Sequence, residues 1–282
     1  MASTRAPLTP VRWPAEAIWE SVAPALPGFT VEVLPEVDST NSELMRRARA
    51  GRLEPVLLVA EQQTAGRGRM GRPWLSGGVD RAAHPVARVG AMPALTFSLG
   101  LNLAPADWSG LSLAVGLSVA QSLHPDIRLK WPNDLWWHDR KLAGILIETA
   151  NWGEAGSGRY VVIGVGLNLQ TPNGAGLSTA PVGLAELLPE VDAAEALLRL
   201  VAPLVQTVQR FEAQGFAPFQ KDFNTRDAMA QLPVTLSDGV QGVAQGVDAT
   251  GALLVRSGQG VQRITSAEVS VRPQRGPDHD SF

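Results

Sequence analysis

The stretch Gly66-Arg67-Gly68-Arg69-Met70-Gly71-Arg72 sets three guanidinium groups within six residues and includes no acid. Glycines let a backbone approach a ligand closely, and guanidiniums offer fork-shaped donors that match carboxylate or phosphate. The stretch contains a G-x-G-x-x-G spacing after an apolar run. A dinucleotide fold needs that spacing to open a helix, so that the pyrophosphate meets the helix N-terminus. Here Arg72-Pro73-Trp74-Leu75-Ser76-Gly77-Gly78 follows, which no helix accommodates. The dinucleotide reading fails. What remains is a flexible anion-binding loop, weighed against a merely solvated basic loop; Trp74 would anchor it in the core or stack on a ligand ring.

Two further segments add cations. Lys130-Trp131-Pro132-Asn133-Asp134 ends a strand in an ammonium, an amide and a carboxylate, although Asn and Asp beside Pro are also ordinary turn formers. Lys141-Leu142-Ala143-Gly144 opens an apolar strand whose glycine permits close ligand approach. In a chain of formal charge −3 and pI near 5.8, such a local cluster suggests a site for a polyanion, while the overall charge argues against a general nucleic-acid coat. The four histidines (His84, His124, His138, His279) lack ligand spacing, so no protein metal site is expected. Zero cysteines exclude disulfides, thiolate zinc sites and a Cys nucleophile. No G-x-S-x-G elbow or Walker loop is present. Cations and amides without a base suit a nucleophile that is already ionised. A carboxylate attacking the α-phosphate of ATP is one, since its pKa is about 4–5 and the barrier is mainly repulsion between anions, which Arg, Lys and Mg²⁺ relieve.

These residues need elements to hold them. Alternation predicts a strand over Val31–Val37, and Thr40-Asn41-Ser42-Glu43 fits a capping box with Thr40 as N-cap, opening a helix from Asn41 to Ala50. Strands are expected over Val56–Ala60, Leu95–Leu101, Ile127–Trp131, Leu142–Thr149 and Tyr160–Leu169, with a polar turn at His138-Asp139-Arg140. Helical spacing covers Asp107–His124, Ala194–Gln214 and Ala217–Met229, and Trp13–Leu26 is a short amphipathic piece. After Gln231 the pattern changes to short strands (Val234–Leu236, Val240–Val247, Ala252–Arg256, Val261–Thr265) between Gly-containing turns, the signature of a small β-barrel. Ser76–Pro93 reads as a long mobile loop. No apolar run reaches the ~20 residues needed to span a bilayer, and residues 1–12 are not a secretory signal, so a cytoplasmic protein is expected.

Taken in order, Asp38-Ser39-Thr40-Asn41, Glu61-Gln62-Gln63-Thr64-Ala65-Gly66-Arg67-Gly68-Arg69, Gly71-Arg72-x-Trp74, Lys130-Trp131-Pro132-Asn133-Asp134, Lys141-Leu142-Ala143-Gly144-Ile145-Leu146-Ile147-Glu148 and Gly164-x-Gly166-x-Asn168 closely resemble the motifs of biotin–protein ligases over roughly Val31–Pro273. The resemblance implies an α+β fold: a mixed, mainly antiparallel sheet with flanking helices (class II synthetase-like) plus a small C-terminal Src-homology-like β-barrel. The implied layout is an N-terminal extension over 1–30, a catalytic domain over 31–230, the barrel over 231–273 and a disordered tail over 274–282. It implies that biotin and MgATP form biotinyl-5′-AMP, and that a lysine of the biotin carboxyl carrier domain of acetyl-CoA carboxylase or a related carboxylase then takes the biotinyl group.

By the same resemblance, Ser39, Thr40 and Asn41 hold the biotin ureido ring, and Gln63 contacts biotin too. Arg67, Gly68 and Arg69 close over carboxylate and phosphate, and Arg72 supports the closed loop. Trp74 covers the biotin tail or the adenine. Lys141, beside Gly144, binds the carboxylate and α-phosphate, and Lys130 the phosphates. Asn133 and Asp134 lie on the nucleotide side, Asp134 orienting cations or the incoming lysine, and Asn168 meets adenine or ribose. The catalytic set is then Lys141, Arg67, Arg69 and Lys130. Related enzymes dimerise through the edge of the central sheet. Gly77–Pro93 departs from the family pattern as an insertion. Only 37 residues precede Asp38, too few for a winged helix, so the monofunctional form without DNA binding is expected. The alternatives are a lipoate–protein ligase or octanoyltransferase, whose loop is dominated by Arg-Arg-x-Gly-Gly-Gly, and a non-catalytic biotin-sensing or carrier-binding protein, which would have lost Lys141 or the Arg loop.

Overall fold

The structure, a computed structural model, describes residues 11–74, 92–151, 158–177, 179–237, 239–265 and 271–273. Most of the expected loop and insertion before Pro93, residues 1–10 of the extension, and the tail at 274–282 lie outside the described residues. In chain order the helices are α1 (Ala15–Val22), α2 (Thr40–Arg49), α3 (Leu111–Leu123), α4 (Ala193–Gln214) and α5 (Gln220–Arg226). The strands are β1 (Thr30–Val37), β2 (Val56–Gln63), β3 (Ala94–Leu103), β4 (Arg128–Lys130), β5 (Asp134–Trp137), β6 (Arg140–Asn151), β7 (Arg159–Asn168), β8 (Pro233–Leu236), β9 (Gln241–Val247), β10 (Leu253–Ser257), β11 (Gly260–Ile264) and β12 (Val271–Pro273). Two compact units are drawn from Met1–Ala104 with Trp137–Gln206 and from Pro105–Trp136 with Thr207–Phe282. The stretch 31–230, read from the sequence as one domain, contributes to both.

In the first unit β1 pairs with β2 in parallel, and β2–β3, β3–β7 and β7–β6 are antiparallel, giving a mixed and mainly antiparallel sheet. Strands β3 and β7 are almost continuously apolar because both of their faces are buried. Helix α2 turns Leu44, Met45 and Ala48 onto Val56, Leu58, Tyr160 and Val162, while Arg46 and Arg49 face outward. Its N-cap is Ser39 rather than the expected Thr40. Ser39 has extended backbone and its hydroxyl accepts from the Ser42 N–H at 3.4 Å. Glu43 therefore falls one residue past the capping-box position and pairs with Arg46 and Arg47 instead.

In the second unit α3 is buried nearly all round, and β4 and β5 form a hairpin about a cis Trp131–Pro132 bond. The expected strand over Ile127–Trp131 is cut to three residues, since Trp131 begins that turn. The expected helix over Ala217–Met229 is a 3₁₀ turn at Ala217–Phe219 followed by α5, which stops at Arg226. The C-terminal strands form a five-stranded antiparallel sheet in the order β11-β10-β9-β8-β12; its last strand was not expected. Among the described residues no helix is long and apolar enough to cross a membrane.

Candidate ligand site

The site of the first unit is built on rungs of the β3–β7–β6 ladder. Ser98, Gly164 and Leu146 are register partners, and two residues along the strands Thr96, Gly166 and Gly144 form the next such rung. Residues two apart share a sheet face, so Gly164 and Gly166 leave that face bare over about 7 Å. Each vacancy is taken by a side chain from elsewhere. A Cβ at Gly164 would collide with Asn41 Oδ1, and one at Gly166 would overlap the Trp74 indole, lying 2.7 Å from its Cζ2.

The start of α2 supplies the polar groups of the first rung. Ser39, Thr40 and Asn41 are each only 3% exposed, so their polar atoms require partners. The Thr40 N–H and hydroxyl both donate to Gln63 Oε1, at 2.8 and 3.1 Å. Asn41 Nδ2 donates to Leu146 O at 3.1 Å and to Glu148 Oε2 at 2.9 Å. The fully buried Ser98 hydroxyl reaches Asn41 Oδ1 at 2.6 Å and Thr40 Oγ1 at 2.7 Å, with one proton for the two. Just before the helix, Arg46 bonds both oxygens of Asp38 at 2.7 and 2.8 Å and holds that carboxyl down to about 2.

The arginine loop is a hairpin, not a helix start. Trp74 N donates to Gly66 O, Gly68 N to Arg72 O, and Arg67 bridges Pro73, with a 3₁₀ turn at Arg69–Gly71. This geometry agrees with rejecting a dinucleotide fold. Arg67 and Arg72 are exposed, whereas Gly68 and Arg69 are half-buried. Arg67 extends to Glu148, its terminal nitrogen 3.2 and 3.3 Å from the two oxygens. Trp74 lies on the second rung, its indole N–H buried and without a partner among the described residues. Lys141 Nζ stands 5.9 Å from that ring's centre, and a Cβ at Gly144 would be 3.4 Å from both.

Lys141 is strapped in place by its backbone: its N–H donates to Ala180 O and its carbonyl accepts from Val182 N. Asn168, 4% exposed, crosses the same strap, donating to Lys141 O and Val182 O at 3.2 Å each. Arg140 next door is clamped by Glu186, which Thr171 also meets.

The structure thus brings together Ser39, Thr40, Asn41 and Gln63 at one rung and Trp74, Gly144 and Lys141 at the other, with Arg67 reaching the first through Glu148. Lys130, Asn133 and Asp134 belong to the hairpin of the second unit. There Lys130 and Asp134 are register partners, and the ammonium lies 5.2 Å from the centre of the Trp136 ring. Among the described residues no three His, Asp or Glu side chains gather as a metal cluster. Sequence reasoning missed Ser98, whose only signal was one of two hydroxyls in a mainly apolar strand, and gave Glu148 no role.

A family model described as the biotin/lipoate A/B protein ligase family matches residues 92–168, and one described as the biotin protein ligase C terminal domain matches residues 233–272. The class is that of the biotin and lipoate ligases. The chain is 34% identical over 257 residues to the bifunctional ligase/repressor BirA of Escherichia coli (strain K12), covering 88% of this chain and 75% of that protein. It is 32% identical over 247 residues to the biotin–[acetyl-CoA-carboxylase] ligase of Paracoccus denitrificans, covering 84% and 98%. Among solved structures, the biotin protein ligase from Aquifex aeolicus in complex with biotin and ATP matches with a TM-score of 0.70 at 27% identity, over 86% of this chain and 99% of that one. The chain belongs to the biotin–protein ligase family. The lipoate, octanoyl and non-catalytic alternatives find no support among these relatives.

Proposed function

We propose that this ligase joins biotin to a lysine of a carboxylase carrier domain in two steps. The biotin carboxylate first attacks the α-phosphate of MgATP, forming the acyl–phosphate bond and releasing pyrophosphate. The ε-amine of the acceptor lysine then attacks the acyl carbon, forming the amide and releasing AMP. The observation that carries this reading is the juxtaposition, on one sheet face, of a buried amide–hydroxyl cluster with an indole, an ammonium and a guanidinium loop.

Thr40 and Asn41, presented by the helix start that Ser39 caps, and Gln63 at the end of β2 suit a small neutral ring rich in donors and acceptors. Trp74 and the bare Gly144 would bound the apolar tail, and the unpartnered indole N–H is a donor for a ligand oxygen. Lys141, Arg67, Arg69 and the Gly68 backbone would take the carboxylate and α-phosphate, with Arg72 supporting the loop. Their charges offset the repulsion between the two anions, so the first step requires no protein base. Magnesium enters with the nucleotide. Lys130, Asn133 and Asp134 we assign, from the resemblance alone, to the nucleotide. Asn168 was expected at the adenine or ribose; its amide nitrogen is committed to two carbonyls, which supports holding the Lys141 backbone instead.

We place the reaction in the cytoplasm, with a dimer through the sheet edge as the expected assembly. Mass spectrometry after incubation with biotin, MgATP and an acceptor domain tests the reading. A mass gain on one lysine is expected, and an unmodified acceptor together with no biotinyl-AMP would refute it.

A further inference from the structure

Glu148 stands at the meeting point of two parts of the site that the family motifs list separately. One of its oxygens accepts from Asn41 Nδ2 at 2.9 Å. Both lie within 3.3 Å of the Arg67 guanidinium, which arrives from a loop 81 residues away in sequence. Asn41 can occupy only one orientation, since its nitrogen faces two acceptors, Leu146 O and Glu148 Oε2, and its oxygen faces the Ser98 hydroxyl. A flipped amide would set its oxygen against both acceptors. Glu148 therefore helps decide which face Asn41 shows to a ligand.

Arg67 has a different relation to the same carboxylate. The segment from Gly66 to Trp74 carries no acid of its own, so Arg67 finds its counter-ion on β6. Side-chain exposures of 45% for Arg67 and 26% for Glu148 make this a wet pair, strong enough to bias a loop and weak enough to exchange. A ligand carboxylate or phosphate offers the guanidinium the same chemistry as Glu148 does.

We propose that Glu148 is a positioning residue of this site, orienting Asn41 and holding Arg67 until an anionic ligand takes the guanidinium over. The proposal rests on the biotin reading above. It makes the carboxylate of Glu148 a competitor of the ligand's carboxylate, so removing its charge favours an anionic ligand over a neutral one of the same shape. Glu148→Gln suits the test because its carbonyl oxygen still accepts from Asn41 while the charge that holds Arg67 is gone.

Biotin and biotin amide, which lacks the carboxylate charge, are titrated calorimetrically into wild type, E148Q, R67A and R67A/E148Q at low ionic strength. E148Q should raise the affinity of biotin relative to biotin amide by roughly two- to fivefold, the worth of an exposed ion pair. That gain should fade at high salt and vanish in the R67A background. An unchanged ratio in E148Q, or the same gain without Arg67, overturns the proposal. A second measurement needs no variant: the Arg67 guanidinium ¹⁵N resonances of wild type should change on adding biotin and not on adding biotin amide, and equal responses to both would overturn it. If neither compound binds wild type, it is the biotin reading that fails.

Discussion

Replacing Gly166 by Ala adds one methyl group where the sheet has no room for it. Gly166 is a register partner of Thr96 on one side and Gly144 on the other, so β7 cannot yield. The new Cβ would overlap Trp74 Cε2 and approach Cζ2 and Cδ2 to 2.7 and 2.9 Å, so the indole must leave. Forcing an extra methyl into a packed site typically costs about 1–3 kcal/mol. Trp74 ends a loop that is partly exposed, so the strain is relieved by displacing the indole rather than by unfolding the sheet. The loss then falls on ligand binding, where about 1.4 kcal/mol is a factor of ten, and biotin affinity should drop roughly five- to 150-fold. The melting temperature should move by only a few degrees. Biotin calorimetry and thermal melting of G166A, W74A and W74A/G166A provide the assay. If the clash with Trp74 is the whole effect, the double variant binds biotin within about twofold of W74A alone. Near-normal biotin affinity in G166A, or full additivity of the two substitutions, would refute the reasoning.

Lys141→Ala should abolish biotinyl-AMP formation while leaving the melting curve intact, because the strap holds the backbone of residue 141 and not its ammonium; near-normal ATP–pyrophosphate exchange would sink this role. Burial raises the Asp227 carboxyl to about 6, only partly opposed by the Met229 N–H. The unfolded chain thus loses this proton at lower pH than the native one, so its contribution to stability falls as pH rises from about 4 to 6 and is flat outside that window, by up to roughly 3 kcal/mol. Asp227→Asn should remove that slope, measured by denaturant unfolding at pH 4 and 7, and an unchanged slope would count against it. Removing residues 232–282 should weaken the second unit, since the excised segment accepts the Trp131 indole N–H at Gly251 O and ties Gln220 and Asn224 at Val247. Hydrogen exchange should show lost protection in α3 and α5, and full protection would refute this role.

The apolar strands and the amphipathic face of α2 were legible in the sequence because burial writes itself in periods of two and 3.6 residues. The rejection of a dinucleotide fold was legible too, from Pro73 where a helix would have to run. The cap of α2 was misplaced by one residue because Ser39 and Thr40 are chemically equivalent candidates. Only the rung beneath decides that the threonine hydroxyl serves Gln63 and Ser98. The two glycines of the Gly164-x-Gly166-x-Asn168 run carried no visible reason, since what they make room for, Asn41 and Trp74, is distant in sequence. Ser98 was hidden for the same cause. One of two hydroxyls in a mainly apolar strand looks like noise until its partners are known.

Counting cations near a motif, as the sequence permits, does not separate the arginines that bind ligand from those that brace the fold. Arg47 is 14% exposed and bonded to both Glu43 and Glu32; those carboxylates outweigh the burial that disfavours its charge. Arg140 is held by both oxygens of Glu186. Such arginines are committed, because each makes a charge-assisted bond of 2.7 Å to a carboxylate. Among the described residues the Arg67 side chain pairs with Glu148 alone, at the long distances of 3.2 and 3.3 Å, and nearly half of it lies in solvent. An arginine serves a ligand to the extent that its own carboxylate can afterwards be rehydrated or rebonded. Glu148 meets that condition, since Asn41 continues to donate to it when Arg67 departs.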